Sequence, residues 1–291
     1  MALAHARHPP DWAHYRTVEG GFLFDRQALY EAYLVANGAD PAAADLADRA
    51  AAARLAAPRG KAVNRAEIER VLVPALEAGV ESCAHGLPLG VDLALSEPTL
   101  LAPDLTVAPA WGELPAGREG ALPLRLLAGP AMGSGTWPWT RAALPALRRL
   151  VRAGDRVADV GTGTGILGLY ALRLGARRVD AVDTDPIAAA VARRNARANG
   201  LAERLRVRVG SAEALDDGYD LAVVSVLAVW EVAPVVEVTI ARLRAGGLLI
   251  ASPAHGAGEC DQLEATLREL GLTTTEAFEA DDWFVSAARR P

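Results

Sequence analysis

Residues 157–165, VADVGTGTG, constrain this chain more than any other segment. An apolar run ends in a carboxylate, Asp159, and passes into Gly161, Gly163 and Gly165. Glycines reach positive φ and carry no side chain, so bare backbone is left where a nucleotide can approach. The N–H groups opening the next helix, over 166–174, can face polar or negative atoms. A second acid, Asp183, ends the apolar run 179–182 and stands 24 residues after Asp159. That is about the spacing at which a doubly wound sheet sets a carboxylate on a ribose.

The glycine spacing narrows the ligand. A dinucleotide fold uses G-x-G-x-x-G, with a pyrophosphate on the helix N-terminus; this chain has G-x-G-x-G with Asp159 two positions ahead. An acid so close repels a pyrophosphate and suits an ammonium group. The run from Asp159 through Asp183-Thr184-Asp185-Pro186 to Asn195 and Asn199-Gly200 resembles the class I S-adenosylmethionine-dependent methyltransferases. The resemblance implies S-adenosylmethionine as cofactor and a doubly wound, Rossmann-like α/β fold with a seven-stranded sheet.

Length and composition set outer bounds. A chain of 291 residues that is 51% hydrophobic has ample material for a core. Its net charge of −6 and the lack of a basic block argue against a nucleic-acid partner. Cys83 and Cys260 have neither CxxC spacing nor a histidine pattern, so no metal site is expected and both read as buried, inert thiols. No signal peptide and no stretch of about 18 apolar residues is found, which predicts a cytoplasmic protein with no membrane partner. The oligomeric state is not legible.

The first 85 residues predict a helical cap, with helices around 29–36, 40–55 and 64–79. Asn37-Gly38, Asp40-Pro41 and the Asn64/Glu67 capping box punctuate them. Residues 86–121, rich in Pro and Gly, read as a linker. From 122 the catalytic domain begins and extends to 291. Strands are predicted at 122–127, 156–160, 178–182, 205–209, 220–226, 248–252, 273–277 and 283–287. Helices are predicted up to Leu150 and from 166, 186, 232 and 258. The alternation in the middle of this order is the pattern of a parallel sheet covered on both faces.

A second motif sharpens the resemblance. Residues 128–140, AGPAMGSGTWPWT, are similar to the loop with which PrmA-type ribosomal-protein methyltransferases approach their cofactor, and the likeness extends over about 105–288. It implies that Gly133, Gly135 and Thr136 close over the methionine part of the cofactor. Asp159, Gly161, Thr162, Gly163 and Gly165 would hold its amino-acid end, and Asp183 its ribose. Adenine is expected near Ser211 and Ala212 after the third strand.

Three departures stand out. The family has a His and a small polar residue where this chain has Trp137 and Trp139. It has an Asn, which offers an amide oxygen to the amine being methylated, where this chain has Ser225. Ser225 is shorter and places its oxygen differently, which argues against an amine acceptor. The N-terminal region does not resemble the family's substrate domain, so a ribosomal-protein substrate is not expected. Trp137, Trp139 and Ser225 are therefore the candidate catalytic residues, the indoles holding the sulfonium by cation–π contact. Trp230 is a further indole candidate, and Glu231 and His85 are possible bases. Tyr15, Tyr30 and Tyr33 could reach the site if the cap folds over it. The expectation is methyl transfer to a small-molecule acceptor of specialised metabolism. The alternative is a cyclase resembling azetidine-2-carboxylate synthases, with no substrate beyond the cofactor; a PrmA-like protein methyltransferase or a non-catalytic cofactor-binding protein comes after these.

Overall fold

The computed structural model describes residues 98–109, 121–127, 137–225 and 229–291, with positions 17–18, 21–22, 114, 131 and 133–135. The predicted cap helices, the tyrosines at 15, 30 and 33, His85 and Cys83 lie outside the described residues. So do Thr136 and the side chains of Trp230 and Glu231. A two-residue ladder pairs β1 (Thr17–Val18) with β2 (Gly21–Phe22).

The main sheet is built by period-two strands whose alternate side chains enter two different cores. On β6 (Arg156–Val160), Val157 joins one cluster while Ala158 and Val160 join the other. On β7 (Arg178–Asp183), Val179 and Ala181 face the first and Val182 the second. β8 (Leu205–Val209), β9 (Tyr219–Ser225), β10 (Leu243–His255), β11 (Thr273–Ala280) and β12 (Trp283–Arg289) complete the sheet. The strand order is β11-β12-β10-β9-β6-β7-β8, so the expected seven strands are present. The five from β10 to β8 run parallel, while β12 is antiparallel to β10 and β11 to β12.

From β6 the chain winds outward through β7 and β8, then returns to the other side of β6 with β9 and β10. The reversal places a crevice at the carboxyl ends of β6 and β9, where such sheets receive ligands. Three helices cover one face: α1 (Pro138–Leu150), α2 (Ile166–Arg173) and α3 (Pro186–Ala198). The other face is covered by α4 (Val229–Arg242) and α5 (Gly256–Glu269). Asp185 caps α3 by accepting from the Ile187 N–H at 2.9 Å, ahead of Pro186 at the first helical position.

The span expected to be a linker carries structure. β3 (Thr99–Ala102) and β4 (Leu105–Pro109) form a three-stranded sheet with β5 (Leu124–Leu126), which therefore does not belong to the main sheet. Leu105, Val107 and Leu124 are fully buried in the first core, so this small sheet is part of the same packed body. Asp104 fastens it, accepting from the Tyr170 hydroxyl at 2.6 Å and from Arg148 Nε at 3.0 Å. The sequence signal was misread because Pro and Gly here punctuate short strands. No described helix is long and apolar enough to cross a membrane.

Candidate functional site

Gly161, Gly163 and Gly165 all have positive φ, 76°, 54° and 84°, so at these three positions the β6–α2 turn cannot carry L side chains without strain. Its N–H groups, however, are mostly spent within the protein. Gly161 and Thr162 donate to the Val182 carbonyl, Gly163 to Asp183 Oδ2 at 2.9 Å, and Gly165 to the Thr162 carbonyl. The loop thus offers a close backbone surface rather than a ring of free donors. Gly165 also lets α3 approach, since a Cβ there would lie 3.3 Å from that of Ala192.

Asp159 is the electrostatic centre. It is 1% exposed, and its Oδ2 accepts from the Thr162 hydroxyl at 2.6 Å and from the Gly168 N–H at 3.1 Å. That oxygen ties the loop to the first turn of α2. The other oxygen, Oδ1, is buried and has no hydrogen-bond partner. A buried carboxylate oxygen left unpaired costs free energy that a cationic donor would recover. Burial pushes the Asp159 carboxyl up to about 6, with the Asp183 charge adding to the rise, while the bonds from Thr162 and Gly168 act against it. Thr162 thus turns inward, as an anchor for the acid.

Asp183 ends β7 with both oxygens engaged, Oδ2 by Gly163 and Oδ1 by the Asp185 N–H at 2.9 Å. Beyond it, the Gly210 N–H donates to the Asp183 carbonyl, and Val209 at the end of β8 is 49% exposed. An apolar side chain open at that point is the surface a nucleobase needs, and it escaped notice because Val209 reads as an ordinary strand residue. Ala212 is buried in the second core, so only its backbone could face a ligand, and Ser211 is half-buried ahead of the short turn Ala212–Ala214.

The loop before α1 is laid directly on the glycine loop. The Thr164 hydroxyl donates to the Gly133 carbonyl at 2.5 Å. Gly133 and Gly135 have φ of 108° and 94°. A Cβ at Gly135 would stand 2.1 Å from Leu101 Cδ1 and 3.0 Å from Ile166 Cδ1. Gly135→Ala is therefore expected to destabilise the protein by about 2–4 kcal/mol, since Leu101 can turn aside but the φ strain remains. Chemical denaturation checks this, and a loss below about 1 kcal/mol would show that the loop tolerates a side chain.

Behind the loops sits a clamp whose role had no sequence signature beyond two asparagines four residues apart. Asn195, fully buried on α3, accepts from the Leu127 N–H at 2.7 Å and donates to the carbonyls of Leu127 (3.0 Å) and Thr164 (2.8 Å). Asn199 repeats the pairing with Arg125, accepting at 2.9 Å and donating at 2.7 Å. The helix thereby stands in for a neighbouring strand along β5 and fixes where the next loop departs. Gly168 was missed too: a Cβ there would lie 3.0 Å from Asp159 Oδ2 and displace the acid.

Just before α1 and in its first turn, Trp137 and Trp139 stack with ring centroids 4.5 Å apart. Ser225, half-buried at the carboxyl end of β9, is the register partner of Ser252 on β10. The Cys260 thiol is half-buried rather than buried, and burial raises its pKa. Among the described residues no cluster of three or more His, Cys, Asp or Glu is placed to hold a metal ion.

Comparison with known proteins follows the same outline. Residues 94–291 match the family model described as ribosomal protein L11 methyltransferase (PrmA). A ribosomal protein L11 methyltransferase of Symbiobacterium thermophilum is 38% identical over 201 residues, covering 68% of this chain and 64% of that protein. One of Pelotomaculum thermopropionicum is 39% identical over 186 residues, 64% of this chain and 59% of that protein. The chain thus spans less than two thirds of the length of these curated relatives. The crystal structure of ribosomal protein L11 methylase from Lactobacillus delbrueckii subsp. bulgaricus superposes with a TM-score of 0.61 at 26% identity, covering 67% of this chain and 100% of that one.

Proposed function

The chain belongs to the ribosomal protein L11 methyltransferase (PrmA) family, and on that premise we propose that it methylates a protein amine, with ribosomal protein L11 as the substrate to test first. Its cofactor is S-adenosylmethionine, and the observation that carries the reading is Asp159, buried beneath the glycine loop with Oδ1 unpaired. A carboxylate in that position answers the ammonium of an amino-acid moiety.

The small-molecule acceptor expected from the sequence is corrected by the relatives, whose names are those of protein methyltransferases. That expectation leaned on Trp137, Trp139 and Ser225 and on the N-terminal region, which lies outside the matched residues 94–291. The cofactor-cyclising alternative has no support among these relatives and is set aside.

S-adenosylmethionine, when bound, would supply an electrophilic methyl group on a sulfonium: an uncharged amine takes the methyl carbon in line, the C–S bond breaks to leave a neutral thioether, and the methylated ammonium gives its proton to solvent. The protein's share is alignment and exclusion of water. Asp159 Oδ1 would take the ammonium, Asp183 the ribose hydroxyls, and Val209 the face of the adenine. Ser225 accepts a hydrogen bond from the attacking amine and turns its lone pair toward the methyl group, in place of the family's Asn. Trp137 and Trp139 wall the reacting atoms from solvent.

Incubating the purified chain with S-adenosylmethionine and ribosomal protein L11, then weighing the intact L11, is expected to show added methyl groups. Binding of the cofactor with no added mass at equimolar enzyme would overturn the substrate. Ser225→Ala is expected to lower kcat about tenfold to a hundredfold and leave the cofactor dissociation constant in place. A parallel loss of cofactor affinity would instead assign Ser225 to the cofactor pocket.

A further inference from the structure

The stacked indoles of Trp137 and Trp139 are the start of a longer row. Trp139 meets Trp283 at 5.1 Å between centroids, and Trp283 meets His255 at 4.9 Å. Four segments converge to make it: the residue before α1, its first turn, the start of β12 and the end of β10, where His255 and Trp283 are register partners. β12 runs antiparallel to β10, so its beginning lies at the carboxyl ends of the parallel strands, along the same edge as the glycine loop. None of the three tryptophans joins either hydrophobic core, and all are only half-buried. Rings used merely as filling would be expected inside those clusters.

Polar or charged groups stand at both ends of the row. At the outer end, Asp282 is 66% exposed with Oδ2 3.9 Å from His255 Nε2, and Glu259 accepts the His255 N–H at 2.8 Å. Asp281 beside it is paired with Arg141 at 2.5 Å, which leaves the local balance acidic. At the inner end, Trp137 Nε1 is buried with no hydrogen-bond partner; Ser252, three residues before His255 on β10, is fully buried with no partner for its Oγ and is in register with Ser225. Indole faces leading to carboxylates attract cations and repel anions.

We propose that this row is an acceptor-docking strip that holds a lysine-bearing, basic segment of the protein substrate. The acceptor lysine lies along the indoles toward Ser225, and a neighbouring positive charge reaches Asp282. The proposal rests on the reading of a protein amine as acceptor.

Binding is tested without turnover, by titrating the full chain with a lysine-rich peptide and a glutamate-rich control and following tryptophan fluorescence. The lysine-rich peptide is expected to bind saturably and the control not to bind. Trp283→Ala should weaken binding at least about tenfold, and Trp283→Phe, which keeps a ring, should restore most of it. Asp282→Asn, on an exposed turn and so without risk to folding, should weaken binding and flatten its salt dependence. Equal affinity for the two peptides, or an unchanged affinity in Trp283→Ala and Asp282→Asn, overturns the strip. The KM for ribosomal protein L11 should rise at least about tenfold in Trp283→Ala while the cofactor dissociation constant moves less than about twofold. If the peptide binds as described but L11 gains no methyl group, the strip stands and the L11 substrate falls. If L11 is methylated with an unchanged KM in Trp283→Ala, the strip falls and the substrate stands.

Discussion

Asp159→Asn is expected to weaken S-adenosylmethionine binding about a hundredfold while making the ligand-free protein more stable. The two effects share one cause. The carboxylate is buried, one oxygen is satisfied by Thr162 and Gly168, and the other is left open for a cation. An asparagine can keep the bonds to Thr162 and Gly168 through its own oxygen, and it places a neutral amide where the unpaired oxygen was. Affinity is lost because the charge that attracts the ammonium is gone; stability rises by about 1–3 kcal/mol because no buried charge needs compensation. Calorimetric titration and thermal melts of the two proteins measure both quantities. A variant that binds the cofactor normally would remove Asp159 from the site.

The same group sets a pH dependence with opposite signs for stability and binding. Its pKa is raised in the folded protein from 3.8 to about 6, so the native state holds the proton more tightly than the unfolded chain. The associated stability, on the order of 3 kcal/mol, is fully present below about pH 4 and is lost as pH rises through about 6. Cofactor affinity runs the other way, falling as pH drops below about 6, because the protonated acid no longer attracts an ammonium. Asp159→Asn should flatten both curves in this window, and an unchanged wild-type slope in the variant would assign the titration elsewhere.

Asn195→Ala is the second large effect, an expected loss of about 3–5 kcal/mol of stability. The side chain makes three hydrogen bonds in a fully buried position, and its removal leaves the Leu127 N–H and two carbonyls without partners. Asn195→Asp should be no better, since it loses both donated bonds and adds a buried charge. Denaturant unfolding reads the loss. Because the clamp also ties residue 127 to residue 164, a milder Asn199→Ala, which removes the half-buried Arg125 pair and the bond to the Asn195 carbonyl, should weaken cofactor binding without unfolding the chain. A loss below about 1 kcal/mol for Asn195→Ala would mean water takes over its bonds.

Much of this was legible from short-range pattern. The glycines at 161, 163 and 165 demanded positive φ, alternating apolar residues in 156–160 and 178–183 gave strands buried on both faces, and Asp185-Pro186 marked a helix start. Residues 99–109 were misjudged because their strands are too short to show a period and are held by Asp104 through Tyr170 and Arg148, 66 and 44 residues away. Val209 and Gly168 were passed over because exposure at a strand end and crowding against Asp159 are properties of neighbours in space. The acceptor was misread because three substitutions in the site, and a region without likeness, were weighed above the match over the rest of the chain.

By itself the sequence determined the sheet, its covering helices and the cofactor, because backbone conformation and side-chain alternation depend on residues a few positions apart. Only the tertiary structure decided that Asp159 has one satisfied oxygen and one open, that Asn195 binds two loops together, and that Trp137, Trp139, Trp283 and His255 form a single row. Burial, dielectric and ring contact arise from segments far apart in the chain, and no local pattern encodes them.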